Sequence, residues 1–237
     1  MKRLLLALLL CAARDAPKTT THTPTTTAPK QELPTTVTLT GEIFASDWKV
    51  TIVAKDAATL TRTRTLQPPI DAALKEVDRQ LSLWNRDSEL ARFNRIAWTK
   101  TLPLSPGLMA LIDTALVVGR DTDGAFDITL GPVLDVWGFS PDTKGKLTTP
   151  PTAQAIAEAR AKTGLSLLHL GEGGLQKDRA DAVVDLTAVG DGAAAAAVAN
   201  GLHERGFHDF LVDVAGEVVV AGSGLDGPWR VGVNVPR

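Results

Sequence analysis

Gly124-Ala125-Phe126-Asp127-Ile128-Thr129-Leu130-Gly131-Pro132-Val133-Leu134-Asp135-Val136-Trp137-Gly138-Phe139 is the stretch on which the reading of this chain turns. An acid between an aromatic and a β-branched pair, followed by a Gly-Pro turn and aromatics on both sides of a glycine, describes a buried polar group in a tight backbone cage. The pattern predicts one wall of a ligand site. Two readings of Asp127 stand: a carboxylate that faces a ligand, or an acid that holds a turn. Trp137 and Phe139 are expected in the core.

Outward from this stretch, residues 37–44 and 48–53 alternate polar and apolar at period two and predict a hairpin. Pro68-Pro69 opens an amphipathic helix carrying Ile70, Ala73, Leu74, Val77 and Leu81, and Ser105-Pro106 opens a second with Ser105 as N-cap. A third helix is expected over 152–163, ending at Gly164, and an alanine-rich fourth over 192–205. Between them, 167–170 and 175–177 flank Glu172-Gly173-Gly174 as a second hairpin, and strands are expected at 210–214, 217–221 and 229–235. Helices interleaved with mostly antiparallel strands define an α+β fold.

With 237 residues, 44% of them hydrophobic, the chain can bury a sizeable core. Twenty-five basic residues against 27 acidic ones leave a net charge of −2, with no basic stripe to draw nucleic acid. A single cysteine excludes an internal disulfide, and no Cys/His cluster has metal-ligand spacing. Met1-Lys2-Arg3 and the short apolar run 4–10 predict an export signal over 1–14, too brief to span a bilayer. Cys11 follows Leu8-Leu9-Leu10 as at a lipoprotein cleavage site, although Leu10 is larger than the residue usual there; cleavage near Ala12-Ala13 is the alternative. Residues 15–36 are rich in Thr and Pro with little to bury and are expected to form a disordered tether, leaving 37–237 as the folded domain. Both signal readings place the protein outside the cytoplasm, in the periplasm or at the cell surface, anchored to the membrane if Cys11 carries lipid.

Three further segments carry site chemistry. In Leu81-Ser82-Leu83-Trp84-Asn85-Arg86, Trp84 follows a helix and precedes a polar turn, where an indole can offer a flat face for stacking; Ser88 and Glu89 then read as the N-cap and first-turn acid of a short helix. Val184-Asp185-Leu186-Thr187-Ala188-Val189-Gly190-Asp191-Gly192 stands where a strand passes into a helix, whose free N–H groups suit a pyrophosphate. Phe44-Ala45-Ser46-Asp47-Trp48 reads either as an ordinary edge strand or as a strand touching a ligand.

Taken together over 41–236, these segments resemble the FAD:protein FMN transferases, the ApbE-like family, in the family's order. The resemblance implies an ApbE-like flavin transferase fold. It implies FAD contacts at Phe44, Trp84, Ala125, Phe126, Asp127, Asp185 and Asp191, and Mg²⁺ reached by the backbone carbonyl of Ala188. Asp191 departs from it, standing where the family has lysine, and Ala196 replaces an acid. The Val212-Asp213-Val214-Ala215-Gly216-Glu217 and Pro228-Trp229-Arg230-Val231-Gly232-Val233 segments resemble its later strands, and since the sequence stops at Arg237 before the segment expected to complete the metal site, the resemblance implies a truncated or fragmentary member.

The activity so implied is Mg²⁺-dependent transfer of FMN from FAD to a Thr or Ser hydroxyl of a target flavoprotein, with release of AMP. Its targets would be exported domains of membrane redox complexes, such as sodium-pumping quinone reductase and Rnf-type subunits. No protein nucleophile is needed, in keeping with the lack of a Ser/His/Asp or Cys/His constellation and with no catalytic residue being assigned. The alternatives are a flavin-binding lipoprotein without turnover and an FAD pyrophosphatase with water as acceptor.

Overall fold

The computed structural model describes residues 32–44, 46–97 and 99–232. The signal over 1–14, Cys11 and most of the tether lie outside them.

β1 (Thr35–Ile43) and β2 (Ser46–Ala54) form the expected hairpin, with Gly41 opposite Trp48 and Leu39 opposite Val50. β1 begins two residues inside the segment read as tether, because Thr35 and Thr36 pair with Ala54 and Val53. β2 pairs antiparallel with β5 (Phe210–Val214), and β5 with β6 (Glu217–Ala221), giving a sheet of order β1-β2-β5-β6. Period-two alternation turns Trp48, Val50, Ile52, Phe210, Val212 and Val214 to one face, where all are buried.

That face is covered by two helices. α2 (Gln67–Leu81) buries Ile70, Leu74, Val77 and Leu81 at helical spacing, with prolines in its first turn. α7 (Thr187–Glu204) buries Gly190, Ala194, Val198 and Leu202, four residues apart, and packs against α2, β5 and β6. Its small residues allow the close approach: a Cβ on Gly190 would lie 3.1 Å from Leu81 Cδ1.

α1 (Ala57–Thr63), which hydrophobic periodicity did not reveal, is capped by the Asp56 carboxylate accepting from the Thr59 N–H. α3 (Glu89–Arg95) has Ser88 as N-cap, as expected, accepting from the Ala91 N–H at 3.0 Å. α4 (Pro106–Asp121) starts where Ser105-Pro106 predicts, but the Ser105 hydroxyl makes no cap; the Ser105 N–H instead donates to the Glu89 carboxylate, so Glu89 serves α4 rather than only its own helix. α6 (Ala153–Arg160) is capped by Thr152 and stops three residues short of the expected end, before Gly164 at φ +139°.

The second hairpin, β3 (Leu168–Gly171) with β4 (Gly174–Lys177), is as read. Gly174 is required there: its φ is +122°, and a Cβ would stand 1.9 Å from the Leu102 carbonyl oxygen, which bridges to Leu175. Residues 229–232 form no strand; Trp229 instead donates its indole N–H to the Ala221 carbonyl, and 233–235 lie outside the described residues. Every described strand pair is antiparallel, and the fold is α+β as the sequence predicts.

Candidate active site

Gly131-Pro132, read as a turn, opens a short helix, α5 (Gly131–Val136), with proline in its first turn. Six residues are too few to show a period, which is why the sequence reads otherwise. Trp137 and Phe139, expected in the core, are exposed at 41% and 68%: Gly138 at φ +76° ends α5 and turns both rings outward. The deeply buried polar group of the stretch is Thr129, not Asp127. Asp127 is half-buried and accepts from the Thr129 N–H at 2.7 Å and its hydroxyl at 2.6 Å, while that hydroxyl accepts from the Gly164 N–H. The turn reading of Asp127 therefore describes its contacts. Phe126 packs on the core and Ala125 is exposed.

A cleft of about 770 Å³ opens between the end of α2, the β1–β2 turn and the first turns of α7. Phe44, Trp84 and Asp191 meet here from three distant segments. Trp84 is 49% exposed and presents its ring to the cleft, with Lys144 Nζ 4.7 Å from the ring centroid. Asp78 and Asn85, which carry no sequence signal, also line it, joined by an Asn85 Nδ2 to Asp78 Oδ2 bond of 2.8 Å. α7 begins at Thr187 rather than at 192, so Asp191 rides on the helix instead of preceding it. Partial burial, and the Glu217 charge behind it, hold its carboxyl above the usual aspartate range.

A second cleft of about 420 Å³ shares Leu83 with the first and holds Asp185, Gly131 and Asn94. Asp185 precedes α7, accepts from the Thr187 N–H at 2.8 Å, and donates its own N–H to the Ile128 carbonyl, tying 127–131 to this wall. Gly131 admits the contact, since a Cβ there would lie 2.5 Å from Val183 Cγ1. The segment before α7, expected as a strand, is extended without pairing into a sheet, and Asn94 clamps it, donating to the Val184 carbonyl and accepting from the Val184 N–H. Ala125, Phe126 and Asp127 line neither cleft.

Among the described residues no three His, Cys, Asp or Glu side chains gather where they could hold a metal ion. Ala188 is exposed in the first turn of α7, where its carbonyl is directed along the helix axis toward the N–H four residues on. With Asp191 it supplies too few oxygens for the near-octahedral shell that Mg²⁺ demands. These residues alone do not fit the metal.

Residues 44–237 match the ApbE family, and the chain belongs to it. It is 40% identical to the FAD:protein FMN transferase of Klebsiella pneumoniae over 89% of its own length and 60% of the relative's, and 37% identical to that of Salmonella typhimurium over 97% and 63%. Among solved structures it resembles the flavin transferase ApbE from Vibrio cholerae, with a TM-score of 0.77 and 29% identity over 84% of this chain and 63% of that one. It also resembles the apo form of the Pseudomonas stutzeri flavinyl transferase ApbE, with a TM-score of 0.76 and 30% identity over 86% and 67%. The chain spans about three fifths of the length of the curated relatives it matches.

Proposed function

We propose that this chain belongs to an FAD:protein FMN transferase, with FAD as its flavin donor. The observation that carries the reading is the cleft that brings Trp84, Phe44 and Asp191 together in a chain 40% identical to an enzyme of that name. In this reading a Thr or Ser hydroxyl of a target flavoprotein attacks the FMN-side phosphorus of FAD. A P–O bond forms to the acceptor, the bond to the AMP phosphate breaks, the hydroxyl proton is released, and AMP leaves. Such a reaction asks the protein for positioning and charge neutralisation more than for covalent help. Mg²⁺ is the metal this reading calls for, to neutralise the diphosphate; the described residues do not complete its site.

Incubating the purified chain with FAD and the flavin-accepting domain of a membrane redox complex tests the reading. AMP in the supernatant and flavin fluorescence on the denatured acceptor are expected, and their absence in the presence of bound FAD refutes transfer. A second reading, flavin binding without turnover, is favoured by the lack of a gathered ligand set among the described residues; it requires FAD to be bound with no AMP formed. AMP and free FMN without an acceptor would mark a pyrophosphatase. The proposal extends to location: the charged start, the apolar run and Cys11 support export and a lipid anchor that would bring the domain to exported targets.

A further inference from the structure

The cleft carries charges of both signs in different places. Of its lining residues Lys144 is the one cation, while the carboxylates are Asp78 and Asp191. Asp78 is engaged by Asn85, whereas Asp191, on α7 and near the Glu217 charge, is a carboxylate that repels an anion. Lys144 forms no ion pair among the described residues and its ammonium rests on the Trp84 indole. Its loop is held in place: the Lys144 N–H donates to the Ser140 carbonyl, the Ser140 hydroxyl to Asp135, and Asp142 pairs with Arg86, two residues beyond Trp84.

A planar ring that stacks on this face of Trp84 has to take the place of the ammonium. The displaced group is a flexible point charge on a four-carbon stem, suited to a phosphate. Resting on the reading of FAD as ligand, we propose that Lys144 is a positioning residue that exchanges the Trp84 indole for the diphosphate of the dinucleotide, so that ring stacking and phosphate neutralisation occur in one move. The ligand is thereby oriented with its diphosphate on the Lys144 side and away from Asp191. Lys144 supplies from a loop the positive charge that the α7 start lacks in this chain.

Calorimetric titration of the full chain with FAD and with riboflavin, at two salt concentrations and without added divalent cation, tests this. Lys144→Met is expected to raise the Kd for FAD about tenfold, the scale of one hydrogen bond to a charged group, and to flatten its salt dependence. Riboflavin, which has no phosphate, should bind the variant as well as wild type or tighter, because no ammonium competes for the indole. Lys144→Arg should retain the salt dependence and most of the FAD affinity. Equal FAD affinity in wild type and Lys144→Met, or parallel losses for FAD and riboflavin, overturns the inference alone. A wild-type chain that binds no FAD overturns the transferase reading and this inference with it.

Discussion

Lys177, at the end of β4, is 1% exposed and has no carboxylate partner among the described residues. Its ammonium donates to the carbonyls of Asn94 at 3.1 Å, Ala180 at 2.8 Å and Ala182 at 3.2 Å, and lies 5.4 Å from the Phe93 ring centroid. The loop that wraps around it continues into Val184 and Asp185, the wall of the second cleft. Lys177→Met keeps the stem and removes the three donors. Hydrogen bonds to a charged group contribute about 1.5–3 kcal/mol each, so the gross loss is roughly 4–9 kcal/mol, with three carbonyls left unsatisfied. Removing the buried charge returns a desolvation cost of several kcal/mol, leaving a net destabilisation of about 3 kcal/mol. For a domain of this size that lowers Tm by roughly 6–12 °C in a thermal melt followed by near-UV circular dichroism. An unchanged or raised Tm would refute the reasoning, since the ammonium would then cost more than its bonds return. The pH dependence supplies an independent check. Burial lowers the Lys177 pKa in the folded state, so between that value and the unfolded one the unfolded chain holds a proton that the folded chain has shed. Unfolding there takes up a proton, so wild-type stability rises with pH across that window, and the gap between wild type and Lys177→Met widens as pH climbs.

Trp84→Ala should weaken FAD binding by about 1 kcal/mol, roughly fivefold, in a fluorescence titration; equal affinity would remove the stacking role. Gly174→Ala should cost about 3 kcal/mol or more in urea unfolding, because its Cβ meets backbone rather than a side chain that can move; a loss under half that would mean 102–103 yields easily. Asp191→Asn should raise Tm at pH 7: between pH 3.8 and its raised folded value the folded state binds more protons than the unfolded one, so stability is lost as pH rises through that window, and the gain should fade as pH falls toward 4. Cys11→Ser should release the protein from the membrane fraction; unchanged association would rule out the lipid anchor.

The fold was legible wherever a long period or a specific cap marked an element. α2, α4 and α6 combine apolar spacing with Pro or Thr at their starts, and both hairpins alternate cleanly around their turns. The start of α7 was not, because Thr187-Ala188-Val189-Gly190-Asp191 has no apolar stripe of its own, and the close approach of Gly190 to Leu81 on α2 is visible only in the fold. α5 hid behind a Gly-Pro pair that serves a turn and a helix start equally. Of the cleft, Trp84 could be picked out from local pattern, while Phe44 and Asp191 came only from the family resemblance. Lys144 could not, since a lysine in a polar loop carries no signal until the fold lays it over an indole sixty residues earlier. The same limit governs the charge of the site. Read along the chain, Asp191 is a lone acid among small residues. In the fold it is one pole of a cleft whose other pole is Lys144, so the two charges of the site stand on a helix and on a loop. A loop-borne ammonium can leave its resting place when a ligand arrives, which a helix-borne one, fixed by its backbone, does less readily.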